Sequence, residues 1–348
     1  MEKIQIKIGD VKIGAGAPVS VQSMTNTKTS DIDATIEQIL KLEKAGCELV
    51  RSSVPDEESA VALKEIIKNI HIPMIADIHF SHKLALMSAD AGVHKIRINP
   101  GNIGGVDKAK YLADYLKERK IALRIGVNGG SLDAKYKGMP LAQAMCNSAL
   151  EYVSVLEKCN FYDIVISAKS SDVKTMVDSY RLIDKACDYP LHLGVTEAGI
   201  YHTGLVKSAV GIGTLLLDGI GDTVRVSLSD DPVKEVEAAK DILKACGKYD
   251  KPYCEIISCP TCARTNISVK ELAEQVEKLC EGIEKPLKVA VMGCVVNGIG
   301  ESQGANLGVA GGKDKSAIFV DGEYVCNVSN EDILPTLKKY ILEYQIKK

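Results

Sequence analysis

The sequence predicts an α/β chain: a TIM (β/α)8 barrel over residues 1–245, followed by a smaller α+β domain over residues 246–348. Three observations lead there. Short β-branched runs alternate with longer segments of helical spacing through the first part of the chain, the mark of repeated βα units. The runs number eight, the strand count of a barrel of about 250 residues. After residue 246 the alternation stops, and cysteines gather at the ends of strand-like runs.

The elements follow in order. "KIQIKIGDVKIG" reads as a hairpin turning at Gly9-Asp10 and covering one barrel end. The eight runs are "PVSVQSM" (18–24), "CELVRSS" (47–53), "PMIADIH" (73–79), "VHKIRIN" (93–99), "IALRIGVN" (121–128), "FYDIVISAK" (161–169), "LHLGVTE" (191–197) and "DTVRVSLS" (222–229). Segments such as "DATIEQILKLEKAG" and "PVKEVEAAKDILKACG" carry apolar residues at helical spacing between them. In the second domain "YCEIISCP" is strand-like, and "SVKELAEQVEKLCEGI" is a helix with Ser268 at its N-cap. "PLKVAVMG" is a buried strand, and "SAIFVDGEYVCNV" is a hairpin with an Asp-Gly turn. "NEDILPTLKKYILEYQIKK" closes the chain as a helix with Pro335 in its first turn.

Composition excludes several classes. Hydrophobic residues make up 46% and charged residues 26%, as in an ordinary globular protein. Trp is absent and Phe occurs three times, so the core rests on Ile, Leu, Val and Ala. The formal net charge is −3 with no basic tract, which gives nucleic acid no footprint. No apolar run approaches the roughly 18 residues of a membrane span. The start "MEKIQIKIGD" has no signal-peptide core, so a cytoplasmic protein is expected. Disulfides are not expected there, despite eleven cysteines. Cys47, Cys146, Cys159, Cys187, Cys246, Cys280 and Cys326 stand among apolar neighbours and read as small buried hydrophobes.

A barrel carries its chemistry at the C-terminal ends of its strands. Arg51 ends the second run, Asp77 and His79 the third, Arg97 and Asn99 the fourth. Arg124 and Asn128 belong to the fifth, Ser167 and Lys169 to the sixth, Thr196 and Glu197 to the seventh. One polar residue at a strand end is ordinarily solvated loop. Arg51, Arg97, Arg124 and Lys169 at matching places on different strands would converge on one mouth. Converging cations are costly to desolvate unless an anion joins them. A phosphorylated or diphosphate ligand is the expected partner, held bidentately by arginine.

Cys259-Pro-Thr-Cys262 alone is ambiguous between half a zinc site, a redox pair and part of an iron–sulfur site. No second C-x-x-C or His pair follows to complete a zinc ribbon. Cys294, at the end of "PLKVAVMG", supplies a third thiol from a second strand corner. Three thiolates so arranged suit an iron–sulfur cluster with one odd corner. Gly293, Gly298 and Gly300 fit a backbone bending closely round a bulky core. For the fourth ligand, spacing leaves both Cys254 and Glu301 open.

"SCPTCART", "VMGCVVNGIGE", "VTEAG" and "RINPGNIG" together resemble the bacterial 4-hydroxy-3-methylbut-2-enyl diphosphate synthases of the methylerythritol phosphate route to isoprenoids. The resemblance covers essentially the whole chain, in the compact two-domain form. It implies a barrel followed by a 4Fe–4S domain, with Cys259, Cys262, Cys294 and Glu301 as cluster ligands. It implies a homodimer in which the cluster domain of one subunit caps the barrel of the other. The implied substrate is 2-C-methyl-D-erythritol 2,4-cyclodiphosphate, reduced with electrons from flavodoxin or ferredoxin. Arg51, Arg97, Arg124 and Lys169 match the family's basic substrate residues, with Asp77, His79, Asn128, Ser167 and Thr196 beside them. Glu197 matches the barrel carboxylate near the reacting carbons and is the expected proton donor. Arg264 and Asn297 match residues that reach the substrate from the cluster side. Cys254 is expected to be structural. The competing expectations are a metal-free barrel lyase or synthase on a phosphorylated substrate with a structural zinc module, and an electron carrier fused to an inert barrel.

Overall fold

The structure, a computed structural model, describes residues 3–79, 81–99 and 106–346; the side chains of residues 106, 107, 131 and 297 are also outside the described set. Residues 100–104 of "RINPGNIG" and the side chain of Asn297 therefore lie outside it. The chain divides into two compact units, Met1–Tyr249 and Asp250–Lys348. The sequence boundary at 245/246 falls at the C-terminal end of the last barrel helix.

The first unit opens with β1 (Ile6–Ile8) and β2 (Val11–Ile13), then β3 (Ser20–Met24), α1 (Ile32–Ala45), β4 (Leu49–Ser53), α2 (Glu57–Lys68), β5 (Met74–Ile78) and α3 (His82–Asp90). It continues with β6 (Lys95–Ile98), α4 (Val106–Arg119), β7 (Ala122–Asn128), α5 (Leu141–Lys158), β8 (Ile164–Lys169), α6 (Val173–Ala186), β9 (His192–Leu193), α7 (Tyr201–Leu217), β10 (Thr223–Val224) and α8 (Pro232–Ala245). The sheet order is β8-β7-β6-β5-β4-β3-β10-β9, and a parallel bridge from Ile166 to Leu191 joins the two ends into a closed barrel. All eight expected strands are present. The last two are shorter than the runs 191–197 and 222–229 suggested, with two residues each in the ladder. Beyond Leu193 the chain swings away, and the Thr196 N–H goes to the Ser170 carbonyl.

Asp side chains start several barrel helices. Asp31, Asp56, Asp172 and Asp231 each accept an N–H from the first turn of α1, α2, α6 and α8, and Pro232 adds a fixed φ at the start of α8. α1 stops at Gly46, which takes the left-handed conformation with φ 98°. The strands alternate in the usual way. Val50, Ala76, Leu123 and Ile166 face the helices, while Leu49, Ile75, Ala122 and Val165 face inward. These four inward residues pack with Ile6, Ile8 and Ile13 of the β1–β2 hairpin, which closes the N-terminal end of the barrel as a floor. Burying each isoleucine there contributes about 1.5–3 kcal/mol.

The second unit contains β11 (Cys254–Ser258), α9 (Val269–Leu279), β12 (Leu287–Met292), α10 (Val295–Gln303), β13 (Leu307–Ala310), β14 (Lys315–Val320), β15 (Glu323–Ser329) and α11 (Ile333–Ile346). β11, β12 and β13 run parallel, and β14 and β15 continue the sheet antiparallel. α9 and α11 cover one face through Val276, Leu337 and Ile341 on Val289, Val291 and Val309; Ala305, just past α10, packs with Ala290 and Met292 of the other. The β14–β15 turn has Asp321 at φ 49° and Gly322 at φ 81°, the two positive angles of a tight hairpin. Ser268 stands at the α9 N-cap position but makes no side-chain capping bond. No helix among the described residues is long and apolar enough to cross a membrane.

Candidate active site

Alternation sends one row of side chains from each strand into the barrel. Above the floor layer that row carries Arg51 on β4, Asp77 on β5, Arg97 on β6, Arg124 on β7, and Ser167 and Lys169 on β8. Asp77, Arg97 and Arg124 are register neighbours across three strands. The arginines sit inside their strands rather than at the ends, deeper than the sequence suggested, because the floor begins only one inward position below them.

Asp77 is the hub. Its carboxylate accepts Arg97 Nη1 at 3.1 Å, with Arg51 Nε at 3.7 Å and His79 Nε2 at 3.5 Å. Burial by itself would raise its pKa; Arg51, the His79 contact, Arg97 and Arg124 overcome that and hold it well below the usual carboxylate range. Arg124 is only 1% exposed; its Nη1 donates to Gln22 Oε1 at 3.4 Å. Burial, then Arg51 and Arg97, push its pKa well down. Lys169 is pushed down in the same way, by burial first and then by Arg51, Arg124, Arg225 and Arg97. Arg51 falls to about 10, chiefly through burial. Two glycines make room for these cations. A Cβ on Gly126 would stand 2.4 Å from Arg97 Nε, and one on Gly194 would stand 2.7 Å from Lys169 Nζ.

Four side chains here went unread in the sequence. Arg225, beyond β10, forms a bidentate pair with buried Glu235 of α8 at 3.0–3.1 Å, so these two charges answer each other. Lys95 and His192 are fully buried on the inward row, Lys95 two residues before Arg97. The signal that could have found them is the period of two, since Lys95 shares the parity of Arg97. Among the described residues, Gln22 Nε2, Lys95 Nζ, Arg97 Nε, Arg124 Nε and His192 Nε2 are buried without a hydrogen-bond partner. All are nitrogen atoms able to donate, so the barrel interior holds a surplus of donors and cations that one acid, Asp77, does not satisfy. An acceptor-only, anionic ligand matches that surplus.

Of the other barrel candidates, Ser167 is buried on the inward row, Asn128 and Thr196 are half-buried and Glu197 is exposed. Asn128 ends β7, and Ser167 Oγ donates to the Ile125 carbonyl at 3.5 Å. Thr196 and Glu197 fall in the bend after β9, not on the strand. Glu197 is exposed and holds φ 50°, an uncommon angle for a residue with a side chain.

In the second unit, Cys259 follows β11 and Cys294 follows β12, at the same edge of two paired parallel strands. The Gly293 N–H donates to Cys259 Sγ at 3.2 Å. Cys262 is exposed in the turn after Cys259. The glycine segment does not bend as expected. It is the helix α10, with Cys294 as its N-cap. Gly298 lets that helix lie against the sheet, since a Cβ there would stand 2.3 Å from Ala310 Cβ. Seven residues make two helical turns, so Cys294 and Glu301 share one helix face, about 10 Å apart along the axis. Gly300 faces open space, and Val295, Val296 and Ile299 are exposed. Arg264 is exposed beside the cysteine turn.

Among the described residues no three His, Cys, Asp or Glu side chains converge on one ion position. A tetrahedral ion needs that convergence. A four-iron cluster takes one ligand at each corner and does not. Cys259, Cys262 and Cys294 stand at one sheet edge, with an N–H aimed at a sulfur, and fit three corners of a cluster of that kind; Glu301 lies two helical turns along α10 from Cys294. Cys254 lies at the opposite end of β11, where the neighbouring Cys280 thiol and burial push the Cys254 pKa up. It stands away from the donor edge.

Residues 3–240 match the model of the GcpE TIM-barrel domain, and residues 255–343 that of the GcpE protein C-terminal domain. The 4-hydroxy-3-methylbut-2-en-1-yl diphosphate synthase (flavodoxin) of Clostridium acetobutylicum is 52% identical over 345 residues, 98% of each chain. That of Clostridium tetani is 51% identical over 340 residues, 97% of each chain. Among solved structures, the dihydropteroate synthase of Thermus thermophilus shares the fold, with a TM-score of 0.53 at 11% identity over 70% of this chain and 98% of that one.

Proposed function

The chain belongs to the GcpE family, and on that premise we propose how its own residues carry the family's reaction. The protein is an iron–sulfur oxidoreductase. It opens the ring of 2-C-methyl-D-erythritol 2,4-cyclodiphosphate and removes water, giving (E)-4-hydroxy-3-methylbut-2-enyl diphosphate for isoprenoid synthesis. The relatives' names specify flavodoxin, which narrows the expected flavodoxin-or-ferredoxin donor to flavodoxin.

One observation supports the residue assignment above the others: Arg51, Lys95, Arg97, Arg124 and Lys169 are buried on one inward surface with Asp77 as their buried acid. A diphosphate supplies the missing negative charge and only acceptor atoms. Arg51, Arg97, Arg124 and Lys169 hold it. Asp77 fixes the Arg51 and Arg97 guanidinium groups, and its depressed pKa keeps it ionised throughout. Asn128, Ser167, Thr196 and His79 line the side where the organic part lies. Glu197, on its strained turn, donates the proton that lets the departing oxygen leave as water. Cys259, Cys262, Cys294 and Glu301 hold the 4Fe–4S cluster. When bound, that cluster supplies electrons one at a time and a Lewis-acidic iron. Arg264 and Asn297 reach the substrate from the cluster side. The functional unit is a homodimer, with the cluster unit of one subunit closing the partner's barrel; the exposed Val295, Val296 and Ile299 beside the ligand edge support such a contact.

Calorimetry of the anaerobic holoenzyme with the cyclodiphosphate tests the assignment. Arg124→Ala should weaken binding on the order of 100-fold, the scale for truncating a buried charge contact. Unchanged affinity and turnover would remove Arg124 from the site.

A further inference from the structure

Lys95 takes no part in the reaction as assigned so far, and its setting differs from that of the other cations. Across the ladder it pairs with Ile75 on one side and Ala122 on the other, both members of the apolar floor. It stands one inward position below Arg97. Its side chain is 0% exposed, and Nζ has no hydrogen-bond partner among the described residues. The hairpin beneath that floor presents Ile6, Ile8 and Ile13, with Ile4 and Val11 packed beside them.

We propose that Lys95 stands as a neutral amine in the empty barrel and takes one proton from water when the diphosphate enters above it. The inference rests on the diphosphate reading of the mouth and adds a proton to the binding step. Every cation facing Lys95 favours this. Arg97 lies above it on its own strand, Arg124 on β7 and Arg51 on β4. Lys169 on β8 and Arg225 beyond β10 add positive charge, the second already held by Glu235. β3 contributes the uncharged Gln22. On β9, His192 is itself buried and driven toward its neutral form, by burial first and then by Arg124. Asp77, the acid on the inward row among the described residues, is engaged by Arg51, Arg97 and His79.

A permanently protonated Lys95 would add one more buried cation with no acceptor. Lysine can give up that charge and arginine cannot. Burial, then Arg124 and Arg51, act on Lys95 in this direction. An entering dianion reverses the balance, since an opposite charge nearby favours the ammonium form. Ring opening then frees a terminal phosphate and raises the ligand's negative charge, which the proton already taken up helps to offset. Lys95 is thus a positioning residue for charge, set below the groups that touch the ligand.

The test is calorimetry of the anaerobic, oxidised holoenzyme with the cyclodiphosphate and no reductant, repeated in buffers of different ionisation enthalpy. The dependence of observed heat on buffer counts the protons bound. Wild type should take up at least about one proton per barrel, and Lys95→Met about one fewer, because the linkage disappears with the amine. Lys95→Met should also melt higher when empty, since it removes an unpartnered polar atom beside Ile75 and Ala122. Binding with no buffer dependence in wild type, an unchanged slope in Lys95→Met, or a slope carried instead by Lys169→Met or His192→Gln overturns the proposal. Absence of any binding by wild type overturns the diphosphate reading itself, and the two failures are distinct.

Discussion

Gly126 and Gly194 place the cations as firmly as the cations' own strands do. Each leaves space on the inward row that a neighbouring long side chain fills, Arg97 in one case and Lys169 in the other. Gly126→Ala puts a methyl 2.4 Å from Arg97 Nε, and that guanidinium is tied to Asp77 and cannot move without breaking the pair. The expected result is a loss of about 1–3 kcal/mol in stability, the ordinary range for overpacking, with a larger proportional fall in kcat/KM. A thermal melt alongside steady-state kinetics checks both, and wild-type kinetics in the variant would sink the idea. The arginines were legible in the sequence because they recur in β-branched runs. Lys95 and His192 carry the same parity, yet strand ends draw attention and strand interiors do not. What sequence could not supply was depth: only the hairpin floor shows which inward positions lie beneath the mouth.

Among the elements, α10 departs furthest from expectation. Glycines disfavour helix by up to about 1 kcal/mol each, so "NGIG" read as a bend. Tertiary packing overrides that, because only glycine lets the helix approach Ala310 of β13 so closely. The helix sets Cys294 and Glu301 two turns apart on a fixed scaffold, where a free loop would need ordering. Two substitutions separate packing from ligation. Gly298→Ala should destabilise the second unit by about 1–3 kcal/mol through overpacking. Glu301→Ala, at an exposed helical position, should leave the melting temperature of the cluster-free protein within the small range of surface changes while altering the cluster's electron paramagnetic resonance signal and abolishing most turnover. An unaltered signal and activity in Glu301→Ala would show that another group is the fourth ligand. The barrel strands were legible as eight runs, and the last two overran because "VTEAG" leaves the ladder for a loop. No local pattern marks that departure; the Thr196 bond to Ser170 does.

At the scale of the molecule, buried cations make stability depend on pH and on ligand. Lys95 and Lys169 have folded-state pKa values below the unfolded value near 10.4. Between the two values the unfolded chain binds more protons, so stability of the empty protein rises with pH, by up to about 1.4 kcal/mol per unit for each lysine neutral when folded. The rise runs up toward the unfolded lysine value and is cleanest below about pH 8.5, where ordinary thiols do not yet titrate. Above that, thiols such as Cys47, pushed up to about 12 by burial, act oppositely as the unfolded chain loses its protons first. Asp77 contributes only at the acid end, its stabilisation present above about pH 4 and lost below. Melts in saturating cyclodiphosphate should flatten the rise between pH 7 and 8.5, and a slope already flat in the empty protein contradicts the picture. The proposed reaction calls on residues of both units, and a mixed dimer tests whether they come from one subunit. Arg124→Ala disables a barrel and Cys294→Ala disables a cluster unit. If each barrel is closed by the partner's cluster unit, a dimer of one variant with the other has one site with both defects and one with neither. Co-assembled variants should then recover about half of wild-type activity per mixed dimer, because the intact site works alone. If barrel and cluster unit of the same subunit formed the site, both sites of the mixed dimer would be defective and mixing would restore nothing.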